Sequence, residues 1–278
     1  MDNKFTWQTW FLTVMVLLSA SGAAQARGQG KSPVRGQTNH IRFNAEQSTN
    51  WAGYAIAGGP FGFNSVHGTW VVPAIASSTS DTTAATWVGI GGGCVNPPSC
   101  TETDPTLIQA GIESDNISGS QSYSAWWEAI PAPSVSLSGG LLSQQSYDVQ
   151  PGDSIAVNIS VQNFAVWTIE VDDQRGGQPH WTFTTTVPYL AAGLTAEWIE
   201  ESPLTAGTSG AGQTALSDFQ QVIFDGLTAN GANPGLTSAD EIVLDDGSGN
   251  VLAMPSAPQG GNSFAVCYGS GTCNFTQP

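Results

Sequence analysis

Short runs of alternating or concentrated apolar residues recur along the chain from about residue 50 to its end. Clusters of glycine, serine, proline and asparagine, which favour turns, separate these runs. No stretch has the pattern of an amphipathic helix longer than two turns. The pattern therefore predicts an all-β fold, an antiparallel β-sandwich of the concanavalin or jelly-roll type. The predicted strands are NWAGYAIAG, VHGTWVVPA, ATWVGIGG, TLIQAGIE, YSAWWEAIP, SIAVNISVQ, AVWTIEVDD, HWTFTTTVP, AEWIEES, QVIFDGLTA, the hairpin EIVLDDGSGNVLAMP and SFAVCYG.

The run TLIQAGIE holds two polar side chains on one face. In a β-strand, alternate residues share a face, so Gln109, Gly111 and Glu113 point one way while the isoleucines and Ala110 point the other way. An amide and a carboxyl group that share a strand face are candidates for a polar site.

Two further predicted strands carry glutamates where a sandwich normally places apolar residues. Glu128 lies in SAWWEAIP, and Glu197 lies in AEWIEES on the same face as Ile199. Partial desolvation beside an isoleucine would raise the pKa of the Glu197 carboxyl. These glutamates are candidates for acid–base chemistry, although a mid-strand glutamate more often lies on a solvated face.

The chain begins with the pattern of an export signal. Lys4 precedes an apolar run from about residue 10 to residue 18, and Ala24-Gln25-Ala26 fits a cleavage site. We expect a signal peptide at residues 1–26, a basic pro-segment at 27–47 and one β-sandwich domain at 48–278. The apolar run is short for a membrane span, so we expect a secreted, extracellular protein with no membrane partner.

The charges are divided unequally along the chain. Five of the six lysines and arginines precede residue 44, and 21 of the 22 acidic residues follow it, which gives the remainder a formal charge of −20. Such a surface repels nucleic acid and anionic membranes. With one arginine and no lysine after residue 44, the domain can form few ion pairs, so it loses little stability when acid protonates its carboxylates. This composition favours an acidic working environment. A halophile-type acidic surface is the alternative.

The four cysteines form two C-x5-C pairs, Cys94 with Cys100 and Cys267 with Cys273. In an exported chain, two local disulfides are the default, and the other two connectivities stay open. We predict no metal site and no cofactor, because the nearest histidine, His67, is isolated and would be protonated at low pH. We also expect a monomer.

Several hydrolase signatures are missing from the sequence. There is no H-E-x-x-H, no G-x-S-x-G and no D-[TS]-G, so the common zinc, α/β-hydrolase and pepsin-like mechanisms are not indicated. Carboxyl groups and amides are the groups left for chemistry in acid.

The motifs NWAGYAIAG, GTWVVPA, ATWVGIGG, LIQAGIE, YSAWWEAIP, PGDSIAVNIS and AEWIEES resemble, in order and spacing, those of the eqolisins, the acid-acting glutamic peptidases. The resemblance covers about residues 50–224 and implies two large sheets with a concave active-site face, in a prokaryotic member of the family. It implies that Gln109 and Glu197 are catalytic. Trp51, Glu113 and Glu128 match positions that line the eqolisin cleft.

The chain also departs from the eqolisin pattern. Glu113 stands where an aspartate is expected, Gly91 where some members carry an aspartate, and Ile130 where a tyrosine is usual. The cysteine pattern differs from that of the fungal members. These departures concern the surroundings of the site, while both matched catalytic residues are present.

The resemblance and the residue chemistry together predict an endopeptidase that acts on polypeptides. Glu197 would take a proton from the attacking water and return it to the leaving amine, and Gln109 would stabilise the oxyanion. We expect Glu113 to orient the Gln109 amide and Gly111 to leave room for the substrate. Most tryptophans should lie in the core, with Trp51 and Trp126 as cleft walls.

Two other classes of function remain open from the sequence. A carbohydrate-active sandwich could use Glu128 and Glu197 as an acid–nucleophile pair with a sugar stacked on Trp126, and a lectin-like module would bind without catalysis. For the peptidase, we hypothesise that the basic segment covers the carboxylate-lined cleft as an inhibitor and is released as the carboxylates protonate.

Overall fold

The computed structural model describes residues 46–95, 101–137, 146–203 and 214–276. Within these ranges the chain forms sixteen strands and a single turn of 3-10 helix at Ser238–Asp240, which confirms the all-β prediction. The strands are β1 Glu46–Ser48, β2 Trp51–Ala57, β3 Ser65–Val71, β4 Thr82–Gly91, β5 Leu107–Ile117, β6 Ser120–Ala129, β7 Val135–Ser136, β8 Ser154–Asn163, β9 Val166–Arg175, β10 Gln178–Pro188, β11 Thr195–Glu201, β12 Ala215–Leu216, β13 Gln221–Ala229, β14 Glu241–Asp245, β15 Val251–Pro255 and β16 Phe264–Tyr268.

The strands follow one continuous hydrogen-bonded path, β10-β9-β8-β3-β13-β16-β15-β14-β2-β11-β4-β5-β6-β7, with β1 and β12 paired at its side. The path folds back on itself, because β4 and β5 contact β8 across the core. The layers of the sandwich are therefore joined through β16, β15 and β14. The continuous path agrees with the predicted β-sandwich, whose layers belong to one hydrogen-bonded sheet.

The strands differ in how many of their faces are covered. Along β9, buried and half-exposed positions mostly alternate, as expected for a strand with one face on the core. All ten residues of β4 and all seven of β11 are buried. A second apolar cluster, which includes Trp51, Trp87 and Trp126, covers the face of these strands that lies away from the main core. The polar groups on this face are consequently desolvated.

The ends of the chain bear on three sequence predictions. The signal peptide and nearly all of the basic segment lie outside the described residues, and β1 begins at Glu46, just before the expected domain start at residue 48. Cys267 and Cys273 form the predicted disulfide. Cys94 is also disulfide-bonded, while Cys100 lies outside the described residues. No helix in the described ranges has the length and apolar character needed to cross a membrane.

Candidate active site

One row of residues crosses five neighbouring strands and contains both residues that the sequence predicts to be catalytic. In the register of β2, β11, β4, β5 and β6, the row reads Ala55, Glu197, Gly89, Gln109 and Glu128. Residues directly opposite each other on paired strands point to the same face of a sheet. The strand order thus brings Glu197, Gln109 and Glu128 together, although they are distant in sequence.

Gly89 separates Glu197 from Gln109 in this row. A Cβ atom at residue 89 would lie 3.2 Å from Gln109 Cβ and 2.9 Å from a ring carbon of Trp87, so a side chain here would crowd the amide. Adjacent strands are about 4.8 Å apart, so the backbones of Glu197 and Gln109 are roughly 10 Å apart. The two side chains therefore lie on either side of Gly89, with the Trp87 ring close to the position above it.

Glu128 holds the Gln109 amide. Gln109 Nε2 donates a hydrogen bond of 2.9 Å to Glu128 Oε2. Burial raises the pKa of the Glu128 carboxyl to about 8, against the lowering effect of this hydrogen bond. Glu113 lies four residues further along β5, opposite Ser124, so the contact that we expected from Glu113 comes from the neighbouring strand instead. In acid, neutral Glu128 accepts the amide N–H through its carbonyl oxygen.

Glu197 is fully buried, and neither carboxyl oxygen makes a hydrogen bond of good geometry. Burial raises the pKa of this carboxyl well above its ordinary value, and the charge of Asp104 adds to the rise. Weak hydrogen bonds from the Thr195 side chain and the Gly91 backbone oppose it. The chain passes close beside the carboxyl, because a Cβ at Gly93 would lie 2.9 Å from Glu197 Oε1. The absence of a side chain at residue 93 is what lets the loop approach.

A parallel row four residues away along each strand contains Trp51, Glu201, Ala85, Glu113 and Ser124. Glu201 is buried and accepts hydrogen bonds from Trp87 Nε1 at 2.8 Å and from Asn50 Nδ2 at 3.2 Å. Burial raises its pKa to about 8. Glu113 is also buried in this row. The face thus carries several carboxyl groups in an apolar surrounding.

The aromatic side chains on this face pack closely. The Trp51 and Trp87 rings meet edge to face with centroids 4.8 Å apart, and Trp126 belongs to the same buried cluster. Gly111, opposite Trp126, makes room for the neighbouring strand, because a Cβ there would lie 2.1 Å from Thr86 O and 2.6 Å from Trp87 Cβ. This packing role replaces the expected role in admitting substrate.

Sequence reasoning did not single out Asp104, Glu200 and Glu201, which are all buried carboxyl groups. Glu200 lies on the opposite face of β11 from Glu201 and accepts a 2.6 Å hydrogen bond from Thr86 Oγ1. The signal for Glu200 and Glu201 was their position within the predicted strand AEWIEES. Asp104 lies in an irregular loop, where no periodicity indicates burial.

A separate charged cluster lies outside the Gln109 row. Asp153, Asp173 and His180 are the group in the described ranges whose spacing could suit a metal ion. Arg175 donates to both oxygens of Asp153, at 2.9 and 2.8 Å, and also pairs with Asp148 at 3.1 Å. The cluster therefore already has a cation in the form of Arg175.

Comparisons with known proteins identify the family and support the fold. The profile of the Peptidase A4 family matches residues 49–268. Scytalido-glutamic peptidase with a transition state analog inhibitor is similar in structure, with a TM-score of 0.59 and 18% identity over 80% of this chain and 98% of that one. SCP-B, an eqolisin in complex with the tripeptide Ala-Ile-His, gives a TM-score of 0.57 and 18% identity over the same shares.

Aspergilloglutamic peptidase from Aspergillus niger is 26% identical, with a TM-score of 0.50 over 67% of this chain and 99% of that one. A comparison with curated proteins returns no significant match. The family match covers most of the chain, and the structural likeness covers nearly the whole of each relative. The chain therefore belongs to the Peptidase A4 family, the eqolisins, and is a hydrolase of the glutamic peptidase type.

Proposed function

We propose that this protein is an acid-acting endopeptidase in which Glu197 and Gln109 form the catalytic dyad. The observation that carries the proposal is a set of three buried acceptor oxygens that lack a well-formed hydrogen bond: both oxygens of Glu197, to which Thr195 and the Gly91 backbone make weak contacts, and Oε1 of Gln109. Buried polar atoms are nearly always satisfied, so three such oxygens on either side of Gly89 require an explanation. A water molecule would supply the missing donors, with one O–H to Glu197 and the other to Gln109 Oε1.

The reaction uses each group in turn. The Glu197 carboxylate takes a proton from water as the water oxygen attacks the scissile carbonyl carbon, and Gln109 Oε1 helps to hold that water. The second N–H of Gln109 Nε2 donates to the developing oxyanion, while the first stays on Glu128. The tetrahedral intermediate then collapses: the C–N bond breaks, and Glu197 returns its proton to the amine nitrogen.

The ionisation of Glu197 sets a condition on this reaction. Its raised pKa leaves only a fraction of the carboxyl ionised in acid, and that fraction falls tenfold for each pH unit below the pKa. A water that donates a hydrogen bond to the carboxylate lowers the pKa, because hydrogen bonding to the charged form favours it. The acidic limb of the pH profile should therefore report the ionisation of Glu197.

The same row argues against the glycosidase alternative. Glycosidases need two carboxyl groups that face each other across the scissile bond. Here the Gln109 strand lies between Glu128 and Glu197, and Glu128 is hydrogen-bonded to the Gln109 amide. In this arrangement Glu128 holds the Gln109 amide, and Glu197 faces that amide across Gly89.

The class of reaction can be tested with purified protein at about pH 3.5. We expect cleavage of denatured casein and no release of sugar from a panel of polysaccharides. Because the proposed mechanism uses no aspartate pair, thiol, serine nucleophile or metal, the cleavage should survive pepstatin, iodoacetamide, PMSF and EDTA. Complete inhibition by pepstatin, or sugar release without casein cleavage, would contradict the proposal.

The contact between Glu128 and Gln109 gives a second prediction. Glu128→Ala removes the acceptor of Gln109 Nε2 and should lower kcat about tenfold or more, since a buried donor loses its partner. Glu128→Gln keeps an acceptor oxygen and should retain most of the activity in acid. The measurement is kcat and KM of both variants at pH 3.5. Equal losses in the two variants would mean that Glu128 does not act by holding the amide.

Export and the inhibitory role of residues 27–47 concern segments outside the described residues. Both stay hypotheses that rest on the apolar leader and on the opposite charges of the basic segment and the acidic domain. Secretion into an acidic medium would agree with the proposed mechanism.

A further inference from the structure

We infer that Asp104 is a positioning residue for the Gln109–Glu197 pair: its carboxyl group ties together the chain segments from which β5 and β11 begin and places a negative charge beside Glu197. The inference rests on the proposed function for its catalytic meaning. The contacts themselves do not depend on that function.

Asp104 is completely buried, and three donors reach its two oxygens. Oδ1 accepts from the backbone N of Thr106 at 2.9 Å and from Thr106 Oγ1 at 2.6 Å, and Oδ2 accepts from the backbone N of Leu194 at 2.9 Å. Thr106 directly precedes β5, and Leu194 directly precedes β11. One carboxyl group therefore joins the strand that carries Gln109 to the strand that carries Glu197.

The backbone of Asp104 makes a third connection, to the glycine loop that follows β4. Asp104 N donates to Gly93 O at 2.8 Å, and Gly93 N donates to Thr195 Oγ1 at 3.1 Å. A bridge between Cys94 and Thr103 lies next to this contact. Asp104 thus also fixes the loop that runs beside Glu197 Oε1.

Asp104 fills space that the departure at Gly91 leaves open. A Cβ at Gly91 would lie 3.3 Å from Asp104 Cγ and 2.0 Å from Thr106 O, so a side chain at residue 91 has no room. The carboxyl group beside Glu197 thus comes from the loop before β5. A negative charge near Glu197 disfavours its ionised form and makes it a stronger base.

The other titratable groups near Glu197 come from several elements. Among the described residues, the titratable groups near this face include Glu128 from β6, Glu201 and Glu113 from the parallel row, and Asp115 further along β5. Tyr189 contacts Leu107 N and Ile130 O. β2 and β4 contribute Ala55 and Gly89 to the row. Arg175, the one arginine after residue 44, pairs with Asp148 and Asp153 instead. The effect of Asp104 on the ionisation of Glu197 should therefore be measurable separately from the effects of these groups.

The test is a titration of the Glu197 carboxyl by 13C NMR on protein labelled at the glutamate side-chain carboxyl carbon, with the signal assigned by its loss in Glu197→Gln. In Asp104→Asn we expect Glu197 to ionise about one pH unit lower than in the parent. We also expect the acidic limb of kcat/KM to move in the same direction, with kcat/KM about tenfold lower at the optimum. Thr106→Val removes a donor but keeps the charge, so it should lower kcat about threefold or more without moving the titration of Glu197.

Asp245→Asn is the matched control, because Asp245 is also buried and accepts from a turn N–H, that of Gly247 at 2.7 Å, but lies outside the row. An unchanged Glu197 titration in Asp104→Asn, or an equal shift in Asp245→Asn, would overturn the inference. If the parent cleaves no protein but the titration shifts in Asp104→Asn, the inference stands and the proposed function fails. If Asp104→Asn does not fold, an unaltered kcat in Thr106→Val would overturn the positioning role.

Discussion

Replacing Glu197 with Gln is expected to lower kcat/KM on a peptide substrate in acid by about 10³-fold or more, because general-base and electrostatic contributions are lost together. Gln keeps the size and polarity of the side chain, and the site already holds a neutral carboxyl for much of the time because burial raises the pKa of Glu197. The fold should therefore be unchanged, as judged by far-UV circular dichroism. Initial rates at pH 3.5 with a quenched fluorescent peptide measure the effect.

Two comparisons make this result specific. Gln109→Ala should be similarly inactive, and Gln109→Glu should not restore activity, because a second carboxyl group offers no constant N–H donor. Glu170→Gln alters a half-exposed glutamate of β9, outside the row, and should behave like the parent. If Glu197→Gln keeps activity within tenfold of the parent, Glu197 has no part in the chemistry.

The strands were predictable because their burial follows the sequence period. The run TLIQAGIE, for example, does place Gln109 and Glu113 on one face of β5, as the alternation indicates. The hairpin of β14 and β15 was likewise visible from the turn residues between its two apolar runs. Periodicity reports the face of a single strand, and for that question it was sufficient.

The neighbours of each site residue depend on the strand order, which cannot be read from the periodicity of apolar residues. β11 inserts between β2 and β4, so Glu197 comes next to Gly89 although more than 100 residues separate them. The same limit explains why Glu113 was expected to hold Gln109. Four residues along a strand span roughly 13 Å, whereas a cross-strand neighbour such as Glu128 is about 5 Å away.

Asp104 shows a different limit. Its buried carboxyl group accepts hydrogen bonds from Thr106 and from Leu194, and these two residues lie far apart in the sequence. The resemblance to the eqolisins indicated a missing aspartate at Gly91 but not what takes its space. Only the folded arrangement of the loop before β5 identifies that residue.

Raising the pH from about 4.5 to 8 is expected to destabilise the fold steeply. Glu200 and Glu201 are fully buried on opposite faces of β11, and burial raises the pKa of each to about 8 from an ordinary value of 4.5. The folded state therefore keeps protons in this range that the unfolded state has lost. The stabilisation is fully present below pH 4.5 and is lost as the pH rises through 8, at about 1.4 kcal/mol per pH unit for each group.

The thermal midpoint, measured between pH 4 and pH 8 in the inactive Gln109→Ala background to prevent self-digestion, should fall across this range. Glu200→Gln combined with Glu201→Gln should flatten the decline, because neither amide can ionise. The Thr86 hydroxyl and the Trp87 indole N–H still find an acceptor oxygen on a glutamine. Glu170→Gln should leave the slope as it is in the Gln109→Ala background. A midpoint that stays constant up to pH 8, or a slope that the double variant does not change, would show that these two carboxyl groups do not set the upper pH limit of the fold.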